Sequence, residues 1–521
     1  MIDIIDIMAK EVASAVDGPD TRDGYKHVAY NPYGKKDYSS KALSFGDAKT
    51  PAETDLLPDD EFETNVKPVQ FKNTYDYDIA VIGSGPEAYT ASIRAARLGA
   101  RVILFEKDIW LKEGFIPAKA YLNSEEGAAL DFQGMISFRN SIVSKMMAGA
   151  ARALRACRVR VESGDANLKG MNEIYCRGKV FSAAKIILCG GRKNNHSHIS
   201  GDLHPGVLTA DDIYKESEIP NRLLVLGGGR EGCELAAAFA SFGSNVMLVE
   251  ERQSLLPDWD RSISEAVWKA LTEIGIKVHT GITVNSIADK NGNPYVITER
   301  GALLCDKVLL ATGRKYDLSF LGELADEFRF ENGMLAVNEF LETSVPGIFA
   351  TNDTSSFGDQ THISHKMAEA AASNALGKKK TIDLRAAPKV ILTKPEAASV
   401  GLTEEEAREL YDDDVVLGYC PLSGNVWDLF FDTSERFVKV LVHRKYGELL
   451  GVHMFGAGAV EMIAEPAAMI RMEVTAHEVV NDIIHVRSTW SEAFAEACAD
   501  ALDEDTRLFR EDAVIDGFLV E

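Results

Sequence analysis

Two glycine-rich segments, each set between an apolar strand and a helix, constrain this chain more than any other feature. Tyr77-Asp78-Ile79-Ala80-Val81-Ile82 is an apolar run too short for a helix and closed by glycine, the pattern of a buried parallel strand. Gly83-Ser84-Gly85-Pro86-Glu87-Ala88 follows, then a helical stretch from Glu87 to Leu98 and a second strand from Arg101 to Glu106. The cycle recurs later in the chain. Leu223 to Leu226 lead into Gly227-Gly228-Gly229-Arg230-Glu231-Gly232, Glu234 to Phe242 reads as a helix, and Asn245 to Glu250 reads as a strand. A lone glycine motif is weak, but strand, turn, helix, strand and terminal acid in order, twice, predict an α/β fold with two Rossmann-like domains.

The chemistry needs those residue types. Gly83 and Gly227 permit the tight turn, and Gly85 and Gly229 let backbone approach a pyrophosphate. Ala88 and Gly232 are small enough for the helix to pack on its strand. The helix start then offers free N–H groups and the positive end of its dipole to the phosphates. Glu106 and Glu250, at the ends of the second strands, are placed to accept from a ribose hydroxyl pair. At the second site such an acid favours a free 2′-hydroxyl, so NAD(H) is expected over NADP(H); the nearby Arg252 weakens that preference without reversing it.

From about Lys389 the pattern becomes strand-dominated, with helices expected near Thr403–Leu410 and Ala459–Arg471, which marks a third, α+β domain. The ends differ from the rest. Residues 1–74 are polar and turn-rich and read as an extended arm, while residues 495–521 hold nine acids against two arginines and read as a solvated helix and acidic tail. The formal net charge is −24, from 80 acidic and 56 basic side chains, which argues against nucleic acid or an anionic membrane as the main partner. No apolar run reaches the ~18 residues of a membrane span. The opening MIDIIDIMAKEV lacks the basic start and cleavage site of a signal peptide, so a cytoplasmic location is expected. Seven cysteines fall at Cys157, Cys176, Cys189, Cys233, Cys305, Cys420 and Cys498, with no CxxC or CxxxxC among them. Neither a metal site nor a local dithiol is expected from that spacing.

From about residue 75 to 495 the chain resembles the class I pyridine nucleotide-disulfide oxidoreductases, in particular the dihydrolipoyl dehydrogenase-like branch. Beyond the glycine segments, Ala311-Thr312-Gly313-Arg314 resembles the second flavin signature, and Thr343 to Asp353 the segment whose aspartate meets the FAD ribityl chain. Pro395 to Glu404 resembles the opening of the dimerisation domain. The resemblance implies an FAD domain over 75–192 and 316–385, an NAD domain over 193–315, a dimerisation domain over 386–494, and a homodimer. To FAD it assigns Gly83, Gly85, Pro86, Glu87, Ala88 and Glu106, together with Lys107, Lys119, Gly191, Arg314 and Asp353. To NAD it assigns Gly227, Gly229, Arg230, Glu231, Gly232, Glu250 and Gly313.

The family's defining reaction has lost its residues. Its redox disulfide is a CxxxxC before Ile-Pro-Ser-Lys; this chain keeps Ile116-Pro117-Ala118-Lys119 but has Trp110 and Phe115 at the two cysteine positions. Its catalytic His-x-x-x-x-Glu pair becomes Arg487 and Glu492, with His485 matching an upstream histidine. An arginine stays protonated at any usable pH and cannot serve as a general base, and without a thiolate no thiol–disulfide exchange runs. Lys119 and Glu234 stand where the family pairs a lysine and a glutamate beside the flavin; an ordinary ion pair is the alternative reading. Arg230 replaces the aromatic that gates the nicotinamide pocket. Trp110 and Phe115, with Arg487 of the partner subunit, are read either as a slot for a flat anionic acceptor or as filler beside an Arg487–Glu492 pair. The expected function is NADH oxidation through FAD toward a non-disulfide acceptor: a quinone, a small molecule, oxygen or a redox-protein partner docked through the arm or tail. Pyridine nucleotide transhydrogenation and a weakly catalytic FAD-binding assembly subunit are the rivals.

Overall fold

The computed structural model describes residues 74–107, 132–189, 192–194, 199–209, 218–316, 318–331, 334–351, 361–422, 436–487 and 489–503, with Asp212 and Glu216. The arm expected over residues 1–74 lies outside them except for Thr74, as does the tail beyond Asp503.

The first glycine segment joins β1 (Tyr77–Ile82) to α1 (Pro86–Arg97), which leads to β2 (Val102–Glu106). After α2 (Phe132–Ala156) come β3 (Arg160–Ser163), β4 (Ala166–Gly170), β5 (Glu173–Cys176) and β6 (Lys179–Leu188). The order β3-β2-β1-β6 is parallel throughout, and β5 and β4 extend β6 as an antiparallel meander. Ile79 to Ile82 are buried between parallel neighbours on both sides, which is why that run carries no polar alternation.

The second unit repeats the plan. β7 (Arg192–Asn194) and β8 (Val207–Thr209) precede β9 (Arg222–Leu226), α3 (Arg230–Ser241), β10 (Asn245–Val249), α4 (Arg261–Glu273) and β11 (Lys277–His279). An antiparallel insert of β12 (Val284–Lys290), β13 (Asn293–Thr298) and β14 (Gly301–Leu304) leads to β15 (Lys307–Leu310). The parallel order is β11-β10-β9-β15-β8. β16 (Arg314–Tyr316) then pairs with β7, and β17 (Phe330–Glu331) with β18 (Met334–Leu335). β19 (Ile348–Ala350) returns to the first sheet beside β6. It is followed by α5 (Thr361–Ala375), whose Ala368 and Ala371 pack with Ala88, Ala91 and Ala95 of α1. Small side chains on both faces let the two helices approach closely.

The C-terminal sheet is antiparallel: β20 (Lys389–Ile391), β21 (Ala397–Gly401), β22 (Val415–Pro421), β23 (Phe437–His443) and β24 (Leu449–Phe455), in the order β20-β21-β24-β23-β22. α6 (Glu404–Tyr411) follows β21. The helix expected over Ala459–Arg471 is broken at Ile463 into α7 (Ala459–Met462) and α8 (Ala464–Arg471), followed by α9 (Ala476–Asn481) and α10 (Trp490–Ala501). Every residue of β23 and β24 is buried, because helices cover one face while Phe437 and Phe455 join Phe239 and Val267 of the second unit on the other. α10 corrects the expected boundary at Ala495. Ala497 and Cys498 are fully buried, and a Cβ on Gly418 would lie 1.9 Å from the Ala497 carbonyl oxygen, so this stretch belongs to the packed body. No described helix is long and apolar enough to cross a membrane.

Thr475 and Glu478 form a capping box on α9: the Glu478 N–H donates to Thr475 Oγ1 at 3.3 Å, and the Thr475 N–H donates to Glu478 Oε2 at 2.8 Å. Because Ala476 and Val479 of that helix are in the core, Thr475→Ala is expected to cost about 1 kcal/mol. A lowered urea midpoint at unchanged slope checks it.

Candidate functional site

The two glycine loops have matching geometry. The Gly83 N–H donates to the Phe105 carbonyl at 3.1 Å and the Gly227 N–H to the Val249 carbonyl at 2.9 Å, so each loop hangs from the end of its second strand. Gly83 has φ +151°, and a Cβ there would sit 1.7 Å from the carbonyl oxygen of Cys189, just past β6. Gly227 has φ +111°, and its Cβ would sit 2.3 Å from the Ala311 carbonyl oxygen, just past β15. Helix α1 starts with Pro86 after Gly85, and α3 starts with Arg230 after Gly229; no side chain caps either N-terminus. Space is open around Gly229, while a Cβ on Gly232 would meet the Gly227 carbonyl oxygen at 1.9 Å. Uncapped helix N-termini beneath glycine loops fit the pyrophosphates of two dinucleotides, one per loop.

Around the first loop, Glu106 accepts a hydrogen bond from the Tyr89 hydroxyl, a partner that sequence reading missed although both residues flank the motif. Burial, then the Glu106 carboxylate, push that hydroxyl above its ordinary range. Glu87 accepts from Thr351 Oγ1 at 3.3 Å, which turns it toward the ends of β6 and β19. Lys107 pairs with Asp165 at 2.6 Å, and its N–H donates to Ser84 Oγ. Lys119, Gly191, Asp353, Trp110 and Phe115 lie outside the described residues, as does the side chain of Arg314.

At the second loop, Glu250 is buried and accepts from the Gly228 N–H and, at 2.7 Å, from the Arg252 N–H. The acid expected to meet a ribose thus also organises the loop. Arg252 reaches Asp258 at 3.3 Å. Arg230 lies back along α3 and pairs with Glu234 at 3.0 Å; the other Glu234 oxygen accepts from the Leu392 N–H at 2.9 Å. Both oxygens of Glu234 therefore have partners other than the lysine expected for it. Glu231 lies in the first turn of α3, and Gly313, at φ +87°, faces open space.

In the segment before α10, the Arg487 guanidinium donates to Glu492 Oε1 at 3.1 Å. Of the two readings of Arg487, this is the one formed within the chain, although its side chain is 88% exposed. His485 is fixed between Ser491 Oγ at 2.8 Å and the Val479 carbonyl at 3.0 Å. All seven cysteines are described, none is in a disulfide, and all but Cys157 are buried. Burial is the leading cause that raises Cys189, Cys233 and Cys498 well above the ordinary thiol range and pushes Cys305 up to about 12. These thiols stay protonated at neutral pH and are neither nucleophiles nor a dithiol. No cluster of three metal-ligating side chains occurs among the described residues.

Residues 77–375 match the family described as pyridine nucleotide-disulphide oxidoreductase, and residues 387–498 match its dimerisation domain. A dihydrolipoyl dehydrogenase of Thermus scotoductus is 34% identical over 462 residues, covering 82% of this chain and 97% of the relative. One from Bacillus subtilis is 29% identical over 452 residues, covering 80% and 97%. Among solved structures, the HOCl-induced flavoprotein disulfide reductase RclA from Escherichia coli aligns with a TM-score of 0.74 at 25% identity, over 81% of this chain and 99% of that one.

Proposed function

The chain belongs to the pyridine nucleotide-disulphide oxidoreductase family, with FAD and NAD(H) as cofactors, and on that premise we propose that it oxidises NADH and passes the electrons to an acceptor that is not a disulfide. The relatives above are named for dihydrolipoyl and disulfide substrates, so this reading sets the chain apart from them. One observation carries it. None of the seven cysteines is in a disulfide, six are buried, and none lies between Glu106 and Ala156, where the family keeps its dithiol. The second support is Arg487, a permanent cation at the base position, already engaged by Glu492.

Bound FAD supplies a two-electron carrier between NADH and the acceptor. The chain's own part is to hold both dinucleotides by backbone N–H groups at the starts of α1 and α3. Glu250 favours a free 2′-hydroxyl over a 2′-phosphate by charge. The balanced reaction with a quinone is NADH plus H⁺ plus quinone giving NAD⁺ plus quinol.

NADH added anaerobically to the purified full chain is expected to bleach its visible flavin absorbance, and a quinone to restore it. Arsenite, which traps vicinal dithiols, leaves both steps unchanged. Restoration by thio-NAD or NADP but not by quinones would point to transhydrogenation, and no bleaching to an assembly subunit. Turnover with lipoamide or glutathione disulfide would overturn the reading.

A further inference from the structure

We propose that Asp260 is the positioning residue of the second dinucleotide loop, the group through which the C-terminal sheet fixes the shape of Gly227–Gly229. The inference rests on the reading that this loop holds NAD(H), and it concerns what holds the loop in place. Asp260 caps α4: its Oδ1 accepts from the Ser262 N–H at 3.0 Å and from Ser262 Oγ at 2.6 Å. A helix cap needs no more than that. The same carboxylate also takes Lys439 Nζ from β23 at 2.9 and 3.1 Å and the Glu404 N–H at the start of α6 at 3.0 Å. His453 Nε2 from β24 stands 3.5 Å away. Side-chain exposure is 0% for Asp260, 9% for Lys439 and 1% for His453, so the Asp260 carboxylate is dry and depends on Lys439, which also reaches the Glu404 carboxylate at 2.8 Å.

The other end of this tie is the glycine loop. The Leu256 N–H donates to the Gly228 carbonyl at 2.9 Å. Leu255 packs so tightly on Gly228 that a Cβ there would meet Leu255 Cδ2 at 2.6 Å. Leu256 has φ +48°, a left-handed conformation that a leucine keeps only when its surroundings impose it. Those surroundings hang from Asp260. Ser264 Oγ donates to the Leu256 carbonyl at 3.1 Å, and the Ser264 N–H donates to the Asp260 carbonyl at 3.1 Å. A second strap from the C-terminal sheet, Lys389 Nζ to the Asp258 carbonyl at 3.1 Å, holds the same turn. The turn between β10 and α4 is thus clamped at Gly228 on one side and at β23, β24 and α6 on the other.

The test uses the full chain loaded with FAD. Asp260→Asn keeps the size and one acceptor for the cap but removes one of the two carboxylate charges that bind Lys439, the other being Glu404 Oε2 at 2.8 Å. Hydrogen exchange of amides in residues 223–235 is expected to rise about tenfold, with exchange at residues 79–90 and the FAD content unchanged. The NADH dissociation constant, measured by titration without turnover, is expected to rise about tenfold, since misplaced binding groups lose affinity steeply. Lys439→Met should reproduce both changes, and the double variant should add little. Loop exchange equal to wild type in Asp260→Asn overturns the proposal, whatever happens to affinity. Raised loop exchange in a protein whose wild type binds no NADH upholds the positioning role and instead sinks the assignment of that loop to NAD(H). Should Asp260→Asn fail to fold, Ser264→Ala, which removes only the bond to Leu256, must raise exchange at the same loop; silence there overturns the proposal.

Discussion

Gly83→Ala is expected to yield a folded chain that purifies without flavin. The added Cβ would stand 1.7 Å from the Cys189 carbonyl oxygen and 2.7 Å from its carbonyl carbon, both backbone atoms that cannot swing aside. Relief requires β1 and β6 to part where Ile82 faces Leu188, or the loop to leave its bond to Phe105. The first choice opens a core in which Ile79, Ile186 and Ile187 have no exposed surface, at a cost of about 1–3 kcal/mol for overpacking. The second is cheaper and removes the turn that presents the N-terminus of α1 to a pyrophosphate. A φ of +151° is in any case a conformation that alanine resists. The loop therefore gives way before the sheet does. Visible absorbance of the purified variant, set against its far-ultraviolet circular dichroism, reads the two separately. Full flavin content in Gly83→Ala would show that the first loop does not hold the cofactor.

The parts of this molecule that sequence made legible are those whose partners are close in the chain. β1 occupies Tyr77–Ile82, as its apolar run predicts, and both loops connect strand to helix where the glycines stand. Such elements are fixed by local patterning, and the loop's own bonds, Gly83 to Phe105 and Gly227 to Val249, span a single βαβ unit. The Arg230–Glu234 pair was within reach by helix spacing alone, four residues apart on α3. Arg487 with Glu492 was legible as one of two readings for the same reason of proximity. The Asp260 cluster was not. Asp260 and Lys439 are 179 positions apart, and nothing in either local pattern announces that β23 and the start of α4 will meet. A lysine inside an apolar strand looks like an outward-facing residue until the topology covers both faces of that strand. The tail boundary at Ala495 failed differently: net acidity was taken as exposure, whereas α10 buries Ala497 and Cys498 and turns Asp500 to the Tyr419 N–H.

The second large effect is a loss of stability with acid that begins in the same cluster. Burial pushes His453 from its ordinary 6.5 down to about 4, against the pull of the Asp260 carboxylate and with Lys439 and Lys389 adding to the depression. Neutral His453 satisfies its surroundings: Nδ1 meets Ser399 Oγ at 3.0 Å and Nε2 the Leu402 carbonyl at 3.1 Å. Between pH 6.5 and 4 the unfolded chain therefore binds a proton at this residue that the folded chain refuses, and stability must fall as pH falls through that window. The full swing is on the order of 3 kcal/mol. Asp260 acts in the same direction but later. Burial alone would raise its carboxyl, yet His453, Ser262 and Lys439 hold it below the ordinary range. Its contribution is intact above the unfolded carboxylate range and is lost only below it. His365, also depressed chiefly by burial, contributes a slope of the same sign but lies in α5, far along the chain from this cluster. His453→Gln retains a donor and an acceptor but cannot charge. Urea midpoints taken from pH 7 to pH 3, at one protein concentration, should fall less steeply in His453→Gln than in wild type between pH 6.5 and 4, with the curves becoming parallel again below pH 4. The difference in slope decides the matter, because a change of level alone would report only how well glutamine packs. Identical slopes would mean that His453 takes up its proton in the folded state as readily as in the unfolded one, and that Asp260 alone sets the acid limit of this interdomain clamp.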